Sequence, residues 1–202
     1  MQKVVIFLAT SILLLSLSAS AQENRSEISI QGTGLFTKST SGNPTAYSAT
    51  GSGGFLGTYR YHPNHWISTE LAYGYSQNTQ KYLLSSDAFR IQSGIHQFTG
   101  TMILNLPTRS HSKLSPYVLV GGGALLLTPN GNEFNSLAGA SPQAKGALVY
   151  GGGANYALTK AIALRMEYRG LVYSTPDFGF GGLATNSITH TAMPTVGCSF
   201  RF

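Results

Sequence analysis

IALRMEYRGLVY, residues 162–173, alternates for most of its length between two kinds of side chain. Ile162, Leu164, Met166, Tyr168 and Val172 fall on one face of an extended chain, and Arg165, Glu167 and Arg169 on the other. Two environments accept that pattern. A soluble β-sandwich turns the apolar face inward and the charged face to water. A membrane barrel turns the same strand inside out, apolar to lipid and charged to the lumen. Alternation by itself does not separate them, so the rest of the chain has to.

The N-terminus carries one positive charge, Lys3, then the apolar run VVIFLATSILLLSLS and the small-residue site Ala19-Ser20-Ala21. This is the pattern of an export signal, with cleavage expected after Ala21. The run falls short of the ~20 apolar residues of a membrane anchor. No cysteine lies near the cut, so a lipid-anchored form is not expected. Residues 22–202 then form one domain. The chain has 13 Lys and Arg and 7 Asp and Glu, against 24 Gly, 11 Tyr and 10 Phe. So few charges with so many aromatics and glycines in an exported chain is not the composition of a soluble enzyme. The single Cys198 excludes an internal disulfide. The net charge of +6 comes from singly scattered basic residues without a Lys/Arg-rich run, so no nucleic-acid partner is expected.

Seven other runs share the period of two: 27–37, 54–62, 66–76, about 89–106, 116–127, 147–158 and 188–202. The run at 89–106 changes phase, with Ile91 and Ile95 odd but Phe98, Met102, Leu104 and Leu106 even. Either a bulge shifts it near His96 or only its second half is embedded. Pro194 in the last run marks a bulge or the start of the paired part. Connections alternate between short (63–65, about 107–115, 159–160) and long (about 38–50, 77–88, 128–144, 174–187). Tyr59, Tyr61, Trp66, Tyr73, Tyr75, Tyr117, Tyr168 and Tyr173 cluster near run ends, as interfacial girdles do. Export, one cysteine, unequal connections and aromatic strand ends together select the barrel: all-β, eight antiparallel transmembrane strands in an up-and-down meander, short periplasmic turns and long outer loops.

The closing GCSFRF, residues 197–202, fits this reading. At membrane depth every backbone donor and acceptor must be paired within the protein, so a barrel closes on its last strand and needs no polar tail. The chain resembles small OmpA/OmpX-type outer-membrane β-barrels, in VGCSFRF (196–202), GTYRYHPNHWISTELAYGYS (57–76) and SPYVLVGGGALL (115–126). The resemblance implies that the terminal aromatic strand, with Phe202 and Phe200, is read by the barrel-assembly machinery. It also implies that the peptidoglycan-binding domain of full-length OmpA-type proteins is missing from a chain that stops at the barrel.

No catalytic motif stands out, and no enzyme, cofactor or metal is expected. His62 and His65 flank a turn at a spacing that could suit a metal, but no third ligand is near. Thr/Ser neighbours of His190 are reminiscent of barrel enzymes that deacylate lipid A, without their His-x-Ser pattern. GGGALL and GGGANY are strand glycines rather than phosphate loops. The constellation with most content is Arg60, Glu70, Arg165, Glu167 and Arg169. An eight-stranded barrel has an interior just wide enough to be filled by side chains. Arg60 and Glu70 flank one short turn at equal distance and should face each other inside. The charges are then either mutually paired or individually hydrated. The expected role is structural or interactive, through membrane integrity or an unidentified ligand at the outer loops. A narrow pore and a lipid-modifying enzyme are the rivals. Outer-membrane lipids are the expected surroundings and a monomer the expected state.

Overall fold

The computed structural model describes residues 25–41, 45–84, 87–108, 112–129, 141–179 and 187–202; Ala19 and Ala21 lie outside the described residues. The period-two runs become strands, in order β1 (Ser26–Thr37), β2 (Thr40–Ser41), β3 (Thr45–Ala49), β4 (Ser52–Tyr61), β5 (Ile67–Leu84), β6 (Asp87–Asn105), β7 (Leu114–Pro129), β8 (Gln143–Ala157), β9 (Ile162–Ser174) and β10 (Ile188–Arg201). Eight of them, β1 and β4 to β10, pair antiparallel with their chain neighbours, and β10 pairs with β1 from Glu27↔Arg201 onward. The seam is sealed by reciprocal main-chain bonds between Ser26 and Phe202, 3.0 and 2.8 Å. The meander therefore has no free edge, as a lipid-facing sheet requires. The short β2 and β3 belong to the first long connection, where β3 pairs with the upper part of β5.

Side-chain polarity is inverted relative to a soluble domain. Ile30, Leu71, Met102, Val120, Met166 and Val196 point outward and are half exposed or more, whereas Arg60, Arg165 and Arg169 are fully buried. An outward apolar belt this continuous is what lipid covers.

Four details depart from the sequence reading. The β5–β6 ladder runs unbroken from Ile67↔Leu104 to Leu84↔Asp87, so residues 77–84 are strand rather than loop. They alternate too, with Gln80 and Tyr82 buried inside while Lys81 and Leu83 face out, but both faces are largely polar above the apolar belt. There is no bulge at His96. Odd positions of β6 face inward throughout, and Ile91 and Ile95 are buried in the lumen beside Ser93. Pro194 keeps register with Tyr168 of β9. Its missing N–H lies where the β1–β10 ladder lapses, between Thr33↔Thr195 and Phe36↔Ala192. Finally, Tyr117 and Tyr173 are not girdle residues: both are odd-numbered, inward and buried, unlike the half-exposed Tyr59, Tyr61, Trp66 and Tyr168.

Candidate functional site

The short-turn half of the lumen is a lattice of ion pairs. Register alone sets Arg60 opposite Glu70 across the β4–β5 ladder and Glu27 opposite Arg201 across the seam. β9 adds Arg165, Glu167 and Arg169 at consecutive inward positions. Arg60 donates from Nε to Glu70 Oε2 at 3.0 Å, and its Nη2 lies 3.5 Å from Glu167 Oε2. Glu70 also receives Arg165 Nη1 at 3.2 Å and Arg169 Nη2, so one carboxylate holds three guanidiniums. Glu167 accepts from Arg169 Nε and, at 2.6 Å, from Tyr117 OH, while the Tyr117 ring lies 4.3 Å from the Arg60 guanidinium carbon. Arg165 bonds Glu27 and takes Asn155 Oδ1 at 3.0 Å; Arg201 reaches Glu27 Oε2 at 2.8 Å.

Mutual pairing is thus the arrangement adopted, which is how buried charge avoids its desolvation cost. Glu27, Arg201 and Asn155 were not singled out from the sequence, and Tyr117 was read as a girdle residue. Carrying the inward parity two residues further, from Ser29 in β1 and from Ser199 in β10, finds Glu27 and Arg201. Phe200 itself points outward, half exposed, and stacks on Phe202 with ring centres 6.0 Å apart.

A second network closes the short-turn end. Asn105 Nδ2 donates to Ser68 Oγ at 2.9 Å, and Ser68 Oγ lies 2.8 Å from His62 Nδ1. His62 Nε2 lies 3.4 Å from Glu27 Oε2. A proton on Nε2 suits the carboxylate, which leaves Nδ1 to accept the Ser68 hydroxyl. His62 is in the turn after β4. Burial, with Arg201 and Arg60 nearby, lowers its pKa to about 4, so the imidazole is neutral at pH 7. Ser, His and Glu in sequence suggest a hydrolase, but Ser68 is fully buried. Among the described residues no three His, Cys, Asp or Glu side chains could hold a metal.

The long-loop half of the lumen buries no charged side chain among the described residues. Leu35, Ile91, Ile95, Leu125, Leu127, Val149, Leu171 and Met193 pack there beside the buried polar Asn78, Gln80, Ser93 and Gln97, and Tyr47 and Tyr82 pack tilted at 5.3 Å above them. Phe178, from the connection after β9, joins this cluster and is 1% exposed despite a left-handed backbone, φ 51°. Gln143 holds it there: its Oε1 accepts from the Asp177 and Phe178 amides at 3.0 and 3.3 Å, and its Nε2 donates to Asp177 Oδ1 at 2.6 Å. Against desolvation, which raises it, the Gln143 side-chain amide, the Gly179 amide and Lys145 together hold the Asp177 carboxyl below its usual pKa.

The family model described as outer membrane protein beta-barrel domain matches residues 7–202. The chain belongs to that family. No curated protein matches this outer-membrane barrel by sequence. Solved barrels match it in shape. OprG from Pseudomonas aeruginosa is 15% identical, with 88% of this chain and 96% of that one covered and a TM-score of 0.59. AlkL, solved in DMPC bilayers, is 16% identical over 91% and 93%, with a TM-score of 0.60. Ail, the attachment invasion locus protein of Yersinia pestis, is 17% identical over 90% and 100%, with a TM-score of 0.53. These likenesses establish the fold of this outer-membrane barrel and nothing finer.

Proposed function

We propose that this barrel is a non-conducting outer-membrane protein with a structural or surface-interaction role, displaying its long connections outside the cell. In this reading residues 1–21 direct export and are removed, and the assembly machinery reads the strand ending in Phe202. The observation that carries the proposal is that the lumen is filled at two levels by opposite chemistry. An ion must pass both a lattice of paired charge and an uncharged, largely apolar plug capped by Tyr47, Tyr82 and Phe178. The interior of an eight-stranded barrel is just wide enough for these side chains to fill, and the upper layer holds no buried charge among the described residues to replace an ion's hydration. An enzymatic role is disfavoured by the burial of Ser68, which no lipid ester can reach.

Single-channel recording of the purified protein in a planar bilayer tests the reading. Flat traces are expected; discrete, reproducible conductance steps would overturn it in favour of a narrow pore. Membrane fractionation with N-terminal mass spectrometry tests the address, the expected result being outer-membrane protein that begins at Gln22.

A further inference from the structure

Buried polar atoms without a hydrogen-bond partner gather on one wall of the barrel. Among the described residues, β5 and β6 carry six of them: Asn78 Oδ1, Gln80 Nε2, Ser93 Oγ, Gln97 Nε2, Thr99 Oγ1 and Thr101 Oγ1. All six residues point inward, and none is more than 6% exposed. Polar groups buried this deeply are costly when left unpaired, so native folds supply each with a partner.

Register strings these atoms into a line. Ser93 faces Asn78 across the β5–β6 ladder, and Thr101 faces Glu70. Between those levels the buried Ser76 stands opposite Ile95, while Gln97 and Thr99 meet Gly74 and Ala72, which carry no polar side-chain atom. Gln80 heads the line: its Oε1 accepts from Tyr82 OH at 3.1 Å, and its Nε2 is unpartnered. At the foot, Arg60 and Arg169 both bond Glu70, and each keeps an Nη1 without an acceptor. Successive inward positions on a strand lie about 7 Å apart, too far for short side chains to bond directly and a gap that one water bridges. The neighbouring wall is different. At the same levels β7, β8 and β9 present the buried apolar Leu125, Leu127, Val149 and Leu171.

We infer that the β5–β6 wall is a water-binding site, a file of buried waters running from Gln80, beneath the plug, down to the Glu70 ion pairs. Buried waters make about three hydrogen bonds each and settle where polar groups converge. The line offers both kinds of partner: amide and guanidinium donors at Gln80, Gln97, Arg60 and Arg169, an acceptor at Asn78, and hydroxyls that do either. The file hydrates the lattice from within the lumen, where Arg60, Arg165 and Arg169 are sealed from bulk solvent.

NMR of the full folded chain in detergent micelles tests this. Water-to-protein cross-relaxation should show long-lived contacts at the Gln80 and Gln97 side-chain amides and the Thr101 methyl, and none at the Leu125, Val149 or Leu171 methyls. Thr99→Val keeps the side-chain shape and removes one hydroxyl. If that hydroxyl were dry and unpaired, its removal would stabilise the barrel. If it holds water, the urea midpoint in lipid vesicles should fall and the water contact at Gln97 should weaken several-fold. Absence of water contacts at Gln97 and Thr101, equal contacts on the leucine wall, or an unchanged or raised midpoint would each overturn the inference. Conductance steps recorded with these contacts intact would sink the non-conducting role and leave the water file standing.

Discussion

Glu70 is bonded to Arg60, Arg165 and Arg169 at once, more cations than either other carboxylate of the lattice engages by hydrogen bonds. Replacing it by Gln keeps the shape but removes one carboxylate from three buried guanidiniums, leaving only Glu27 and Glu167 to balance them, which should cost about 3–5 kcal/mol. Glu27→Gln should cost less, because one of its partners, Arg201, reaches water. Urea midpoints in lipid vesicles check the order, and equal losses would argue that the charges act singly. His62 gives the pH dependence. Its folded pKa of about 4 lies below the ordinary value of ~6.5, so between those limits the unfolded chain binds more protons. This contribution is complete above about pH 6.5 and is lost as pH falls through 4, by roughly 3 kcal/mol at most. Against wild type, His62→Gln should flatten the urea midpoint across that window; an unchanged slope would assign the acid sensitivity to the carboxylates alone.

Strands β8 and β9 show how an element makes room for such a lattice. Gly151 and Gly153 face inward directly opposite Arg169 and Glu167. A Cβ on Gly151 would overlap the Tyr168 carbonyl oxygen, and one on Gly153 would come within 2.9 Å of the Tyr117 hydroxyl. The glycines thus let two strands coil closely while large side chains cross the lumen above them. Gly151→Ala should lose about 1–3 kcal/mol by overpacking. Gly146→Ala, with nothing within 4 Å of the new methyl, should stay within roughly ±0.5 kcal/mol. The opposite face of β9 meets lipid. Met166 is 54% exposed, and Met166→Arg should cost about 2–4 kcal/mol if it lies near the midplane. Site-directed spin labels on β9 in a Cys198→Ser background give the same answer without a charge: oxygen should broaden 164, 166 and 168 and spare 165, 167 and 169. Shielding of all six would place β9 in a protein core.

At the scale of the whole molecule, closure is a single event at the β1–β10 seam. The Phe202 main chain completes it, and its ring packs on Phe200 toward lipid. Deleting Phe202 removes a ladder pair and the proposed assembly signal together. The amount of heat-modifiable folded band should drop while synthesis continues. If folding of the purified variant into vesicles is unimpaired while the amount assembled in cells falls, recognition rather than pairing is what the residue supplies.

Much of this was legible in the chain itself. Period two in residues 162–173, unequal connections and an aromatic last strand dictate a closed antiparallel barrel, because side-chain alternation and backbone pairing are local consequences of sequence. The Arg60–Glu70 pairing follows from equal distance to one turn. What lies across the lumen does not, since it depends on which of eight strands face each other, and no local spacing encodes that. Only the tertiary structure joined Glu27 to Arg165 and Arg201, turned Tyr117 from girdle to ion-pair platform, made residues 77–84 a strand and drew Phe178 into the mouth. It also decided the separation of charge below from uncharged packing above, because that is a property of the enclosed volume, to which every strand contributes only a few residues.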